Sequence, residues 1–117
     1  MNNLFIEYPK CSTCIKARKY LDQLGLEYTK RHIVDEKLNK EELLALYKKS
    51  GLPLKRFFNT SGLKYRELNL KDKLPTMSED EQLTLLASDG MLVKRPIIET
   101  DDRVLVGFKA NEYDSLK

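Results

Sequence analysis

In residues 8–21, YPKCSTCIKARKYL, a proline and then two cysteines three positions apart stand between an apolar run and a helix-like pattern, and few folds accommodate such a junction. Upstream, Leu4-Phe5-Ile6-Glu7-Tyr8 is a short apolar run ended by Pro9, and it reads as a buried strand. Downstream, Cys14, Ala17, Leu21 and Leu24 recur at helical spacing. Lys16, Arg18, Lys19, Asp22 and Gln23 fill the other positions, and Gly25 is placed to end the helix. Leu26 to Val34 reads as a second strand. Strand, helix, strand in that order normally makes a parallel, right-handed crossover.

The rest of the chain changes period twice. Asn39 with Glu42 resembles a capping box ahead of the apolar face Leu43, Leu44, Leu46 and Tyr47, and Gly51 closes that helix. Leu52-Pro53 and Asn59-Thr60-Ser61-Gly62 are breakers around a Phe57-Phe58 knot, and Tyr65 to Leu70 reads as a short helix. Ser78 with Glu81 offers a second capping box before Leu83, Leu85, Leu86 and a Gly90 stop. Pro96-Ile97-Ile98-Glu99 and Val104-Leu105-Val106-Gly107 flank the turn Asp101-Asp102 as a hairpin, and Asn111 to Leu116 reads as a final helix. The predicted order is βαβ, several helices, then ββα.

At 117 residues the chain fits a single domain over 1–117, with a helical insertion at about 38–90. Met1-Asn2-Asn3 has no basic run, Leu4-Phe5-Ile6 is too short for a secretory core, and no window approaches a membrane span. The expected location is the cytoplasm, where two close cysteines point to catalysis, sensing or metal rather than to a structural bridge. Net charge is only +3, and the cations are scattered as Lys48-Lys49, Lys55-Arg56 and Lys94-Arg95, so direct nucleic-acid binding is not expected.

Cys11 is expected at or just before the helix N-terminus. There, free backbone N–H groups and the helix dipole favour an anion such as a thiolate. Lys10, Lys16 and Arg18 lie close in sequence and add positive charge, which makes Cys11 the nucleophile of choice. Cys14, one turn further in, can reach it and act as the resolving thiol of a Cys11–Cys14 disulfide. Two other readings stand beside this one. Cys14 also lies on the apolar stripe, where free cysteine serves as a small hydrophobe. A zinc site would need two more ligands, and the chain has no third cysteine and one histidine, His32, which reads as an ordinary strand-end residue.

Over nearly its whole length the chain resembles the ArsC/Spx family, thioredoxin-like proteins that include glutaredoxin-coupled arsenate reductases and the Spx and MgsR regulators. The residues that carry the likeness run from Tyr8 to Arg18, through Asn59-Thr60-Ser61-Gly62 and Tyr65, to Lys94-Arg95-Pro96-Ile97-Ile98 and Val106-Gly107-Phe108. The resemblance implies an α/β, thioredoxin-like mixed sheet with a helical insertion. It also implies a cis Arg95–Pro96 bond that brings Arg95 beside the Cys11 sulfur. A guanidinium there can stabilise a thiolate or grip an oxyanion with both its arms.

Arsenate reductases of this kind surround the oxyanion with three arginines. Here Arg95 matches one, Asn59 takes the place of the second, and the third falls at or near Phe108. Each lost charge-assisted hydrogen bond costs roughly 1.5–3 kcal/mol, so two losses weaken oxyanion binding by a few powers of ten. Such enzymes also lack a cysteine at the position of Cys14, whereas Spx and its relatives share the C-x-x-C pair.

The expectation is therefore a monomeric thiol–disulfide oxidoreductase that binds no cofactor of its own, regenerated by an external thiol such as glutathione, glutaredoxin or thioredoxin. Ser12 and Thr13 would stabilise negative charge, Pro96 would shape the substrate groove, and Asn59 would contact substrate. The alternatives are a true arsenate reductase, or an Spx-like regulator whose partner is the C-terminal domain of the RNA polymerase α subunit.

Overall fold

The computed structural model describes residues 3–116, so Met1, Asn2 and Lys117 of the expected 1–117 span lie outside the described residues. The chain runs β1 (Leu4–Glu7), α1 (Ser12–Leu24), β2 (Thr29–His32), α2 (Lys40–Ser50), α3 (Leu63–Glu67), α4 (Leu70–Lys73), α5 (Glu79–Ser88), β3 (Ile97–Glu99), β4 (Val104–Val106) and α6 (Ala110–Asp114). Short 3₁₀ turns occupy Leu54–Phe57, Leu74–Thr76 and Gly90–Leu92.

The strands form a mixed sheet in the order β2-β1-β3-β4. β1 pairs parallel with β2, from Leu4 opposite Thr29 to Glu7 opposite His32, and antiparallel with β3, where Phe5 faces Ile98. β3 and β4 form the expected hairpin. A βαβ unit followed by ββα on one sheet, with β1 central, is the thioredoxin-like arrangement.

Strand periodicity divides the core in two. Phe5 and Ile98 point to one face and pack with Ala17 and Leu21 of α1 and Tyr113 of α6. Ile6, Ile97 and Val106 point to the other face and meet Leu43, Leu46, Phe57, Leu83 and Leu86 from the helical stretch between β2 and β3. Each such side chain, once fully buried, contributes roughly 1.5–3 kcal/mol relative to exposure, so the two faces together lock the sheet in register.

Three boundaries differ from the sequence reading. β2 covers only Thr29–His32 of the expected Leu26–Val34. Leu26 and Tyr28 pack into the second cluster before pairing starts, and after His32 the chain turns, with the His32 ring accepting the N–H groups of Val34 and Asp35. The single helix expected at Tyr65–Leu70 is two short ones, broken where Asn69 takes a left-handed conformation at φ 54°. Asp89, not Gly90, ends α5. Gly90 starts the next turn so close to β2 that a Cβ there would lie 2.1 Å from the Ile33 carbonyl oxygen. Both capping boxes form, Asn39 with Glu42 and Ser78 with Glu81, and Gly25 and Gly51 end their helices at positive φ.

Candidate functional site

Cys11 is the N-cap residue of α1, in extended conformation, and its carbonyl accepts the first helical bond from Ile15 N–H at 3.0 Å. A cap position normally holds an oxygen-bearing side chain that accepts the next free N–H groups. As a thiol Cys11 makes no close cap hydrogen bond. The N–H groups of Cys14 and Thr13, the groups a cap serves, nonetheless face the sulfur closely enough to favour its negative form. Partial burial pushes the Cys11 thiol up. The Cys14 and Thr13 N–H groups, the Cys14 thiol and the Arg95 charge together outweigh that burial, and the group lies below its ordinary value.

Cys14 behaves oppositely. It lies on the buried stripe of α1 with Ala17 and Leu21, has no exposed surface, and both cysteines are free thiols. Burial, aided by the neighbouring Cys11 anion, pushes Cys14 up to about 12 despite the lowering effects of the Tyr8 backbone and Arg95. One sulfur is thus primed to lose its proton, and the adjacent one holds a proton it can share.

Arg95 reaches this pair from the strand side. The Arg95–Pro96 bond is cis, as the resemblance implied, and Pro96 is buried. Phe58 and Val93 form an antiparallel bridge, extended by Asn59 N–H to Leu92 O and Lys94 N–H to Phe57 O, both at 2.8 Å. That pairing fixes the segment leading to Arg95. The guanidinium carbon lies 5.2 Å from the centre of the Tyr8 ring, whose edge meets His32. Buried Nε and Nη1 of Arg95 have no hydrogen-bond partner among the described residues. A guanidinium held by a ring, with donors free beside a sulfur, is arranged to receive an anion.

The other expected site residues are less uniform. Asn59 lines a cleft of about 290 Å³ together with Arg95, Lys64 and Met91, so these two residues are brought together. Its side chain also accepts from Ser61 Oγ at 3.3 Å, and its carbonyl caps the turn to Gly62. Ser12 and Thr13 are exposed in the first turn of α1. Their hydroxyls make no hydrogen bond among the described residues, whereas the Thr13 N–H serves Cys11. Phe108 turns to the α6 side, edge-on to Tyr113 at 4.9 Å and Tyr20 at 5.6 Å. No cluster of potential metal ligands occurs among the described residues.

Sequence reasoning gave no role to Tyr8, although it lies in the quoted motif, or to the ion pair of Glu7 with Arg18. Glu7 is 3% exposed at the end of β1, and Arg18 of α1 reaches it. The visible signals were a carboxylate, Glu7, at the close of an apolar strand and a cation, Arg18, one helical turn past Cys14.

Comparison with known proteins places the chain in a family. The chain is 60% identical over 114 residues to "Uncharacterized protein YusI" of Bacillus subtilis, covering 97% of each chain. It is 30% identical over 105 residues to "Global transcriptional regulator Spx" of Staphylococcus epidermidis, covering 89% of this chain and 78% of that one. Among solved structures, the crystal structure of a putative ArsC family related protein from Bacteroides fragilis superposes with a TM-score of 0.97 at 56% identity, over 100% of this chain and 98% of that one. Residues 6–116 match the ArsC family, and the chain belongs to it.

Proposed function

We propose that the protein is a thiol–disulfide oxidoreductase with Cys11 as nucleophile and Cys14 as resolving thiol. The Cys11 thiolate attacks one sulfur of a substrate disulfide, forming a mixed disulfide and expelling the other sulfur as a thiolate. The Cys14 sulfur, giving its proton to a leaving thiolate, then attacks Cys11, releases the second substrate thiol and closes the Cys11–Cys14 disulfide. Two electrons from an external thiol, such as glutathione, glutaredoxin or thioredoxin, restore both thiols. Arg95 holds the attacking anion, the Thr13 and Cys14 N–H groups share its charge, and Asn59 and Pro96 shape the substrate side. The reducing cytoplasm suits this cycle.

The observation that carries the reading is the placement of two free thiols one helical turn apart, Cys11 at the α1 N-cap where the Arg95 charge reaches it and Cys14 buried behind it, with Arg95 donors left unpartnered. The test is alkylation and mass spectrometry across defined redox buffers, with turnover of a small disulfide measured in parallel. Cys11→Ser should abolish reaction, and Cys14→Ser should trap a mixed disulfide on Cys11. A wild-type chain that never forms an intramolecular bridge, or turnover that survives Cys11→Ser, removes the proposal.

The similarity to Spx supports a second reading, a redox-switched binding protein acting on the RNA polymerase α C-terminal domain. Binding of that domain that differs between the oxidised and the reduced chain, with no disulfide turnover, would put this reading first. Arsenate reduction is the weaker enzymatic reading, because Asn59 and Phe108 stand where the resemblance calls for arginines. Turnover of arsenate with glutathione and glutaredoxin that persists in Cys14→Ser would reinstate it.

A further inference from the structure

Arg95 lends its charge to Cys11, yet no carboxylate holds it. Its Nε and Nη1 are buried without a hydrogen-bond partner, and it enters no ion pair among the described residues. What lies against the guanidinium is the Tyr8 ring, with 5.2 Å from the guanidinium carbon to the ring centre. A long, flexible side chain seated on a ring is placed only as firmly as the ring itself.

Tyr8 is held at both ends. Its carbonyl accepts the Cys11 N–H at 2.9 Å, and its own N–H favours the negative form of Cys14, so its backbone touches both thiols. Its ring meets the His32 ring edge to face, with centres 5.6 Å apart and planes at 86°. His32 is anchored in turn by the chain that follows β2. Nδ1 accepts the N–H groups of Val34 at 3.1 Å and Asp35 at 3.0 Å, and the His32 carbonyl accepts the Glu36 N–H at 2.9 Å. The His32 N–H donates to Glu36 Oε1 at 3.3 Å. With Nδ1 accepting, the neutral ring carries its proton on Nε2, which lies 3.7 Å from Asp35 Oδ2. An ordinary strand-end role accounts for the bonds at Nδ1 but not for the place of the ring against Tyr8.

We infer that His32 and Tyr8 are positioning residues for the reacting thiol: the turn after β2 holds the His32 ring, His32 holds the Tyr8 ring, and Tyr8 holds the Arg95 guanidinium toward Cys11. The inference rests on the oxidoreductase reading only in taking Cys11 as the thiol that reacts. Both residues act through Arg95, so the turn at 33–36 becomes a determinant of reactivity at the start of α1.

The test is the pH–rate profile for iodoacetamide labelling of Cys11 in the full-length reduced chain, read by mass spectrometry, with the melting temperature measured beside it. Tyr8→Leu should raise the Cys11 midpoint by about half a pH unit, and Tyr8→Phe, which keeps the ring, should match wild type. His32→Asn keeps a side-chain oxygen that can accept the turn N–H groups but removes the ring. It should raise the midpoint in the same direction with little change in melting temperature, and it carries the test if Tyr8→Leu unfolds the chain. In an Arg95→Gln background neither change should move the midpoint further, because nothing is left to position. A His32→Asn midpoint equal to wild type would leave His32 a turn residue and overturn the proposal. So would a Tyr8→Phe midpoint shifted as far as that of Tyr8→Leu, or shifts that persist undiminished without Arg95. Labelling needs no substrate, so midpoints that move as expected in a chain that turns over no disulfide would uphold this relay while removing the oxidoreductase reading.

Discussion

Cys11 and Cys14 differ by position alone. The same thiol is lowered where free N–H groups and a guanidinium face it, and raised one turn inward where water is excluded. Reaction with iodoacetamide should follow the thiolate, so Cys11 should label at neutral pH while Cys14 resists into strongly alkaline solution. Arg95→Gln should move the Cys11 midpoint upward by up to about one pH unit, read from the pH–rate profile. Stability responds to the same values. Because folding raises Cys14 from 9.0 to about 12, its contribution is complete below pH 9 and is lost as pH climbs between the two. Cys14→Ala should flatten that part of the denaturation-against-pH curve of the reduced protein. The sequence disclosed which cysteine caps the helix, since Pro9 ends the strand and the apolar stripe starts at Cys14. It did not disclose Tyr8 as the seat of Arg95, because that contact joins residues 87 positions apart, 95 less 8, through a turn no local pattern encodes.

Elements were legible where their ends carry chemistry of their own. The boxes of Asn39 with Glu42 and of Ser78 with Glu81 close as read, because each satisfies free N–H groups within four residues. Asn39→Ala should cost about 1 kcal/mol in chemical denaturation. The limits of β2 were not legible, since pairing begins where β1 begins and not where apolar residues do. The Glu7–Arg18 pair ties β1 to α1 across the buried face. Arg18→Met should leave a buried carboxylate without its partner and cost about 3 kcal/mol, whereas adding Glu7→Gln should recover much of that loss. A double-mutant cycle measures both.

At the scale of the molecule, one sheet serves two unequal cores. The smaller holds α1 and α6 against Phe5 and Ile98, and the larger takes in the helical stretch. The order of elements was readable from the changes of period along the chain. The close seating of Gly90 on Ile33 was not, because it depends on how the stretch returns to the sheet. Gly90→Ala should unseat that return, lower the melting temperature sharply and leave α1 the best-protected helix in amide exchange. The short α3 and α4, parted at Asn69, should exchange first.

A helix whose opening cap is a thiol held below its ordinary range has an end that senses electrons. Closing the bridge withdraws the negative charge from the Thr13 and Cys14 amides, so those two protons should shift and exchange faster on oxidation. Linkage then runs both ways: whatever tightens the start of α1 favours the dithiol form, and a ligand that frays it pushes the protein toward the bridged one.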